Sequence, residues 1–347
     1  MIRRRPLLAA LACAPAAWAL APAHLRFPVD HGAHPDLRTE WWYITGHAEQ
    51  GGRLFGFQVT FFRSRVAATQ EMHSRFAARQ LLFAHAAVTD LQGAKLLHDQ
   101  RIARVGFGIA EAAQDDARLR LRDWTLVREG DAWHARVPAS GFALDLRCTP
   151  TQPVLLQGEQ GLSRKGPLPQ EASYYYSLPQ LAVAGTLSLQ GRSFAVTGKA
   201  WLDHEWSDEY LAPEAVGWDW LGMNLDDGSA LTAFRIRRAD GSTLWDNGSF
   251  RDAAGTLRVA PPGATRFTPQ RRWTSPLSGA SYPVEWSVAT PGGRYTVRAL
   301  LDDQELDSRG STGAIYWEGL SDLLDAQGRR VGRGYLEMAG YATRLRM

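Results

Sequence analysis

Apolar residues in this chain recur at every second position and almost never with helical spacing. The runs that carry them are short and are cut by Gly, Asp and Pro. Side chains on a strand alternate between two faces, so this pattern specifies antiparallel β-structure and leaves little that could form a helix. Residues 41–47 and 54–62 read as a hairpin across Gly51-Gly52, and 182–189 and 194–200 as another across Gly191-Arg192. Residues 218–225 and 230–237 form a third, turning at Asp226-Asp227-Gly228, and 282–289 and 294–300 a fourth, turning at Pro291-Gly292-Gly293. Segments 80–89, 119–127, 133–137 and 142–148 continue the pattern, and 334–345 closes it. Two exceptions read as short helical turns, one at 70–79 and one near Ser321. A chain of 347 residues with so many strands accommodates two barrels in tandem. The hairpins at Gly51 and Gly228 each join a Trp-rich strand to one that ends in Arg, a loose internal similarity. The polar loop 150–170 is long enough to be functional or lid-like.

The first 23 residues read as an export signal. Arg3, Arg4 and Arg5 precede an apolar stretch without acids, and Ala21-Pro22-Ala23 is a small-x-small cleavage site. Arg4-Arg5-Pro6-Leu7-Leu8 also has a twin-arginine shape, so Sec and twin-arginine export both fit. The expected location is periplasmic or otherwise extracytoplasmic. Removing those three Arg from the 39 basic residues leaves 36 against 36 acidic ones. The apparent basicity therefore belongs to the signal. Overall charge gives no argument for nucleic acid or for an anionic membrane surface as a partner. Cys148 alone would remain, which excludes an intramolecular disulfide and leaves stability to the core.

Chemistry concentrates in Trp201-Leu202-Asp203-His204-Glu205-Trp206 and Trp218-Asp219-Trp220, which hold four of the chain's 13 Trp. On a strand, His204 and Trp206 share one face and Asp203 and Glu205 the other, while Trp218 and Trp220 oppose Asp219. If His204, Trp206 and Asp219 converge, they supply an acid, an orienting base and an aromatic wall. An Asp desolvated by Trp rings stays protonated, and ring faces stabilise a cation formed by proton transfer. The plainer reading makes the Trp residues core and Asp203 and Glu205 strand-end anchors. Glu40 and Trp42 in Thr39-Glu40-Trp41-Trp42-Tyr43 are ligand-site candidates, although a buried Glu is more simply paired with an Arg. Tyr174, Tyr175 and Tyr176 put rings and hydroxyls on both faces of a strand, and His85 sits in an apolar run. Both are candidate ligand contacts or hydrogen-bonded core groups. Adjacent Asp203, His204 and Glu205 cannot all turn to one ion, and no HExxH, Cys pair, GxSxG elbow, P-loop or dinucleotide fingerprint is present. The sequence implies neither a cofactor nor a metal.

These residues carry a resemblance. The chain resembles the family of carotenoid 1,2-hydratase-like and AttH-like proteins, built as two lipocalin-like β-barrels. The matching segments occur in family order. They are His34-Pro35 with 39–46, 83–90, Ser163-Arg164-Lys165-Gly166, 172–177, 201–206, 218–220 and 334–341. The resemblance implies a first domain over 24–205 and a second over 206–347. In the hydratase branch an acid protonates a terminal alkene and water captures the cation, and its His, Trp and Asp match His204, Trp206 and Asp219. That branch has Tyr two residues before the Asp, where this chain has Gly217, and a longer segment than 207–216 between the motifs. Exported AttH-like members are associated with ABC-type transport systems. Three functions follow as expectations. One is an exported binder of a long apolar molecule, a lipid or isoprenoid, serving an ABC permease. Another is a hydratase or isomerase with Asp219 as acid, and with Trp218, Trp220 and the candidates above lining its site. A structural accessory subunit of an envelope complex is the third.

Overall fold

The computed structural model describes residues 20–22 and 24–345, so the export signal expected over residues 1–23 lies almost wholly outside the described residues. These residues form antiparallel β-structure with two short 3-10 turns and no α-helix. No described helix is long and apolar enough to cross a membrane. The expected all-β, lipocalin-like architecture is the one observed.

The first sheet has 13 strands. At its centre Thr39–Gln50 pairs with Arg53–Arg65 on one side and with Arg192–Ser207 on the other. Outward from there it runs through Gln80–Asp90 to Lys95–Arg104 on one flank. On the other it runs through Ala172–Leu189, Phe142–Thr149 and Ala132–Pro138 to Ala110–Ala112. It curls until the flanks approach. The Arg101 guanidinium lies 4.7 Å from the Trp124 ring, and the Ser140 N–H donates to Asp99 at 2.9 Å. The barrel so formed encloses a dense core that includes Trp42, Phe57, Trp124, Trp133 and Trp206. Cys148 is part of this core, where burial pushes its thiol up to about 12.

The second sheet has ten strands, centred on Ala215–Leu225, Ala230–Arg238 and Arg330–Ala339. Its separate core includes Trp286, Trp317 and Tyr282. The sheets meet through a third cluster containing Tyr43, Trp201, Trp220, Leu320 and Tyr335. Polar clamps fix the join. The Gln180 backbone N–H donates to Asn224 Oδ1 at 2.8 Å, Asn224 Nδ2 donates to the Ala200 carbonyl at 3.0 Å, and Thr89 donates to Gln304 at 2.9 Å.

Local corrections follow from turn chemistry. Residues 70–79 form turns after a 3-10 turn at Ala67–Thr69, and Ser321 lies inside the strand Ala314–Leu324. The run 119–127 splits into Arg118–Leu121 and Trp124–Glu129, because Arg122 turns the chain at φ 58°. The closing strand ends at Ala339, before Gly340 at φ 78°. The polar loop pairs two short strands, Leu155–Leu156 and Leu162–Arg164, against Ala172–Leu189.

Candidate functional site

The alternation read from the sequence holds, and the fold assigns each face. On Thr39–Gln50, Glu40 and Trp42 enter the first barrel, whereas Trp41 and Tyr43 turn outward to the second sheet. On Arg192–Ser207, His204 and Trp206 enter the barrel, and Asp203 and Glu205 turn outward. On Ala215–Leu225, Trp218 and Trp220 face the first barrel, and Asp219 points the other way.

The inward set forms a buried hydrogen-bond network. Glu40 accepts from His204 Nε2 at 2.9 Å, His34 Nδ1 at 2.7 Å and Arg63 Nε at 2.6 Å. Burial alone would raise its carboxyl, but the bonds from His204 and His34 outweigh that and hold it far below the usual range. With His204 Nε2 donating, its Nδ1 accepts from the Tyr176 hydroxyl at 3.1 Å, and that oxygen accepts from His31 Nδ1 at 2.6 Å. Burial lowers His204 to about 4 and His31 to about 3, so both rings are neutral. His34 stacks on Trp206 at 3.9 Å, and Trp42 Nε1 donates to the His31 carbonyl at 2.9 Å. The network therefore ties residues 28–38 across the barrel. The ligand-type atoms of His34, Glu40 and His204 lie within 4.8 Å of one another, but Arg63 already supplies the cation that Glu40 requires. Tyr174 sits at the rim, its hydroxyl 2.9 Å from the Ala21 carbonyl.

Asp219 is held apart from this group. It accepts from Arg235 Nε at 2.7 Å and the Tyr341 hydroxyl at 2.8 Å, with Arg237 Nε at 3.1 Å, inside the second sheet. His204, Trp206 and Asp219 thus do not converge, because each lies on the face of its strand turned away from the other sheet. At Gly217 a Cβ would stand 2.1 Å from the Ala339 carbonyl oxygen, so no side chain fits there in this backbone.

The outward faces enclose a cavity of about 260 Å³ between the sheets. Trp41, Phe62, Trp218, Trp220, Phe234 and Ile236 form apolar walls. Of the candidate ligand contacts, His85, Tyr175, Trp218 and Trp220 line it, whereas Glu40, Trp42, Tyr174 and Tyr176 do not. Four carboxyls face it: Asp203, Glu205, Glu318 and Glu337. Glu318 and Glu337 are direct cross-strand partners, which projects both from one face of the sheet. Among the described residues neither oxygen of Glu318 has a hydrogen-bond partner within 3.5 Å, and the Tyr43 hydroxyl is the polar group that still acts to lower it. Burial, then the neighbouring Glu337 charge, raises Glu318 well above the carboxylate range. Burial raises Glu337 to about 8, against a hydrogen bond from Trp218 Nε1 at 3.1 Å.

Asp203 behaves differently. It accepts from the Tyr175 hydroxyl at 2.7 Å, Ser177 at 2.5 Å and Trp201 Nε1 at 2.6 Å, yet burial still lifts it to about 7. Glu205 pairs with buried Lys165 at 2.7 Å, and Lys165 Nζ lies 4.1 Å from the Phe234 ring centroid and 4.6 Å from that of Tyr175. At the opposite wall His85 is neutral, lowered by burial to about 3. Its Nε2 donates to Ser311 at 2.8 Å and its Nδ1 accepts from Tyr316 at 2.9 Å. Asp203 and Glu205, expected to be outward anchors, are hydrogen-bonded anchors and cavity acids at once. Glu318 carried no sequence signal, since a lone Glu in an apolar run is marked as a site residue only by its cross-strand neighbour.

The AttH-like family profile matches residues 19–341. The structure of AttH from Nitrosomonas europaea is 48% identical, covers 93% of this chain and 99% of its own, and superposes with a TM-score of 0.87. Kievitone hydratase from Nectria haematococca shares the fold at 15% identity over 92% of this chain and 93% of its own, with a TM-score of 0.72. CghA does so at 13% identity over 90% of each chain, with a TM-score of 0.55. No curated protein matches. With its motifs in order along nearly all of its length, the chain belongs to the AttH-like family.

Proposed function

We propose that the cavity between the sheets is a proton-transfer site for an unsaturated apolar molecule, of hydratase or isomerase type. The observation that carries this is the opposed pair Glu318 and Glu337 between apolar walls, with no cation paired to either among the described residues. Two buried carboxyls facing each other cannot both ionise without large cost, so the pair retains a proton. A neutral carboxylic acid beside aromatic walls is what alkene protonation requires. The Glu318 O–H proton passes to one alkene carbon as the π bond breaks. The cation left on the other carbon is stabilised by the faces of Trp218 and Trp220 and by the remaining carboxylates. Water adds to that carbon and returns a proton to the carboxylate, or loss of a neighbouring C–H proton gives an isomer. The shared fold with a hydratase supports this reading.

The aromatic walls favour a second reading, an extracytoplasmic carrier that holds the apolar molecule unchanged for an ABC-type permease. One experiment separates the two. The protein is incubated with squalene, farnesol or lycopene in H₂¹⁸O, and products and bound species are read by mass spectrometry. The enzyme reading expects labelled alcohol or an isomer, reduced about 100-fold or more in Glu318→Gln with uptake retained. Uptake without conversion in the unmodified protein rejects the enzyme, and neither uptake nor conversion rejects both readings.

A further inference from the structure

A formal net charge of only +3 conceals a local asymmetry on the first barrel. Two loops meet beyond the strand ends, residues 66–79 and 105–109. Phe76 and Phe107 at their tips are 63% and 48% exposed, and their rings stack at 5.7 Å. Met72 and Ile109 are exposed beside them. Phe107 is held in the left-handed region at φ 57°, between Gly106 at φ 107° and Gly108 at φ 67°. A bulky residue rarely adopts that conformation, and here it presents an aromatic ring to solvent.

Arginines surround the ring pair. The Arg104 guanidinium lies 4.0 Å from the Phe107 centroid and that of Arg75 lies 5.5 Å from Phe76. Arg79 donates to the Met72 carbonyl at 2.8 Å within the first loop, and Arg104, just before the second, donates to the Phe76 carbonyl at 2.7 Å, which draws the two loops together. Arg122 joins the patch where its N–H donates to the Ile109 carbonyl at 2.7 Å. Among the described residues Arg75, Arg79, Arg104 and Arg122 form no ion pair with a carboxylate, and the two loops carry only Glu71 as an acid.

We propose that this patch docks on the surface of an anionic lipid bilayer. Exposed aromatic rings settle at headgroup depth, and unpaired guanidiniums ringing them meet lipid phosphates. Charge complementarity selects an anionic surface, and the exposed rings select a bilayer over a soluble polyanion. The placement also serves an apolar substrate. Arg63 and Ser64 line the cavity, and the first loop begins just after their strand ends at Arg65. The inference does not require catalysis.

The test is hydrogen–deuterium exchange of the full chain with vesicles, read by mass spectrometry over these loops. Vesicles of equal parts phosphatidylcholine and phosphatidylglycerol should slow exchange at 66–79 and 105–109. Phosphatidylcholine alone should not, and about 0.5 M salt should reduce the effect. Phe76→Ser with Phe107→Ser, both at exposed positions, should weaken partitioning about tenfold with an unchanged circular dichroism spectrum. Unchanged exchange in these loops overturns the proposal whatever the rest of the chain does, as does equal partitioning of the double variant. Equal protection by heparin that survives the double variant would assign the patch to a soluble polyanion and also overturn it.

Discussion

Glu40 and Glu318 are both fully enclosed acids with opposite chemistry. Glu40 accepts from two His rings and Arg63, so it stays charged. Glu318 faces a second carboxyl, and burial with that neighbour pushes it well above the carboxylate range. The difference is measurable as a pH dependence of stability. Glu337 is raised from 4.5 to about 8, so across that window the folded chain retains a proton that the unfolded chain has lost. Stability must then fall as pH rises from 4.5 to 8, by on the order of a few kcal/mol for the pair. His204, lowered to about 4, acts oppositely, because below its ordinary 6.5 the unfolded chain takes up the proton first and stability falls as pH drops. Replacing both Glu318 and Glu337 with Gln should flatten the decline between pH 5 and 8 in urea unfolding. An unchanged slope would mean that both are ionised in the fold, and the proposed acid would be lost. The aromatic walls, Asp203 and Glu205 of this site were legible in the sequence, but Glu318 was not, nor was the protonation of any of these carboxyls. Protonation depends on neighbours more than a hundred residues away, as with Trp218 and Glu337.

The central hairpins behave as the alternation predicts. The turns at Gly51 and Gly228 join Thr39–Gln50 to Arg53–Arg65 and Ala215–Leu225 to Ala230–Arg238, and both hairpins contribute side chains to the cavity lining. Register is held where strands lie too close for side chains. A Cβ on Gly334 would stand 1.9 Å from the Gly222 carbonyl oxygen. Gly334→Ala should cost about 1–3 kcal/mol, seen as a lower urea midpoint, because the obstacle is backbone and cannot rotate away. A midpoint within error of the parent would show that the ladder shifts freely at this point. Sequence alternation exposed strand faces well and strand ends poorly. Arg122 turns the chain at φ 58° where its identity gives no turn signal.

The cavity takes its lining from both sheets. Trp41, Tyr43 and Asp203 come from the first, and Trp218, Glu318 and Glu337 from the second. Their close approach at Gly56 sets the spacing, since a Cβ there would lie 2.7 Å from the Tyr335 hydroxyl and 3.0 Å from Leu320 Cβ. Gly56→Val should therefore wedge the sheets apart. Uptake of an apolar probe should fall several-fold, with a loss of about 1–3 kcal/mol in stability. Unaltered uptake would indicate that the cavity does not depend on this contact.

Composition and alternation were enough to specify an all-β chain, the main hairpins, and which side chains share a face. Those are local properties, set by the two-residue period of a strand and by turn residues. Which face meets the partner sheet is not local. His204 with Trp206, and Asp203 with Glu205, are equally consistent with lining a site when read along one strand. Packing of the second sheet against the outer face of the first placed Asp203 and Glu205 in the cavity, left His204 and Trp206 within the barrel, and turned Asp219 away.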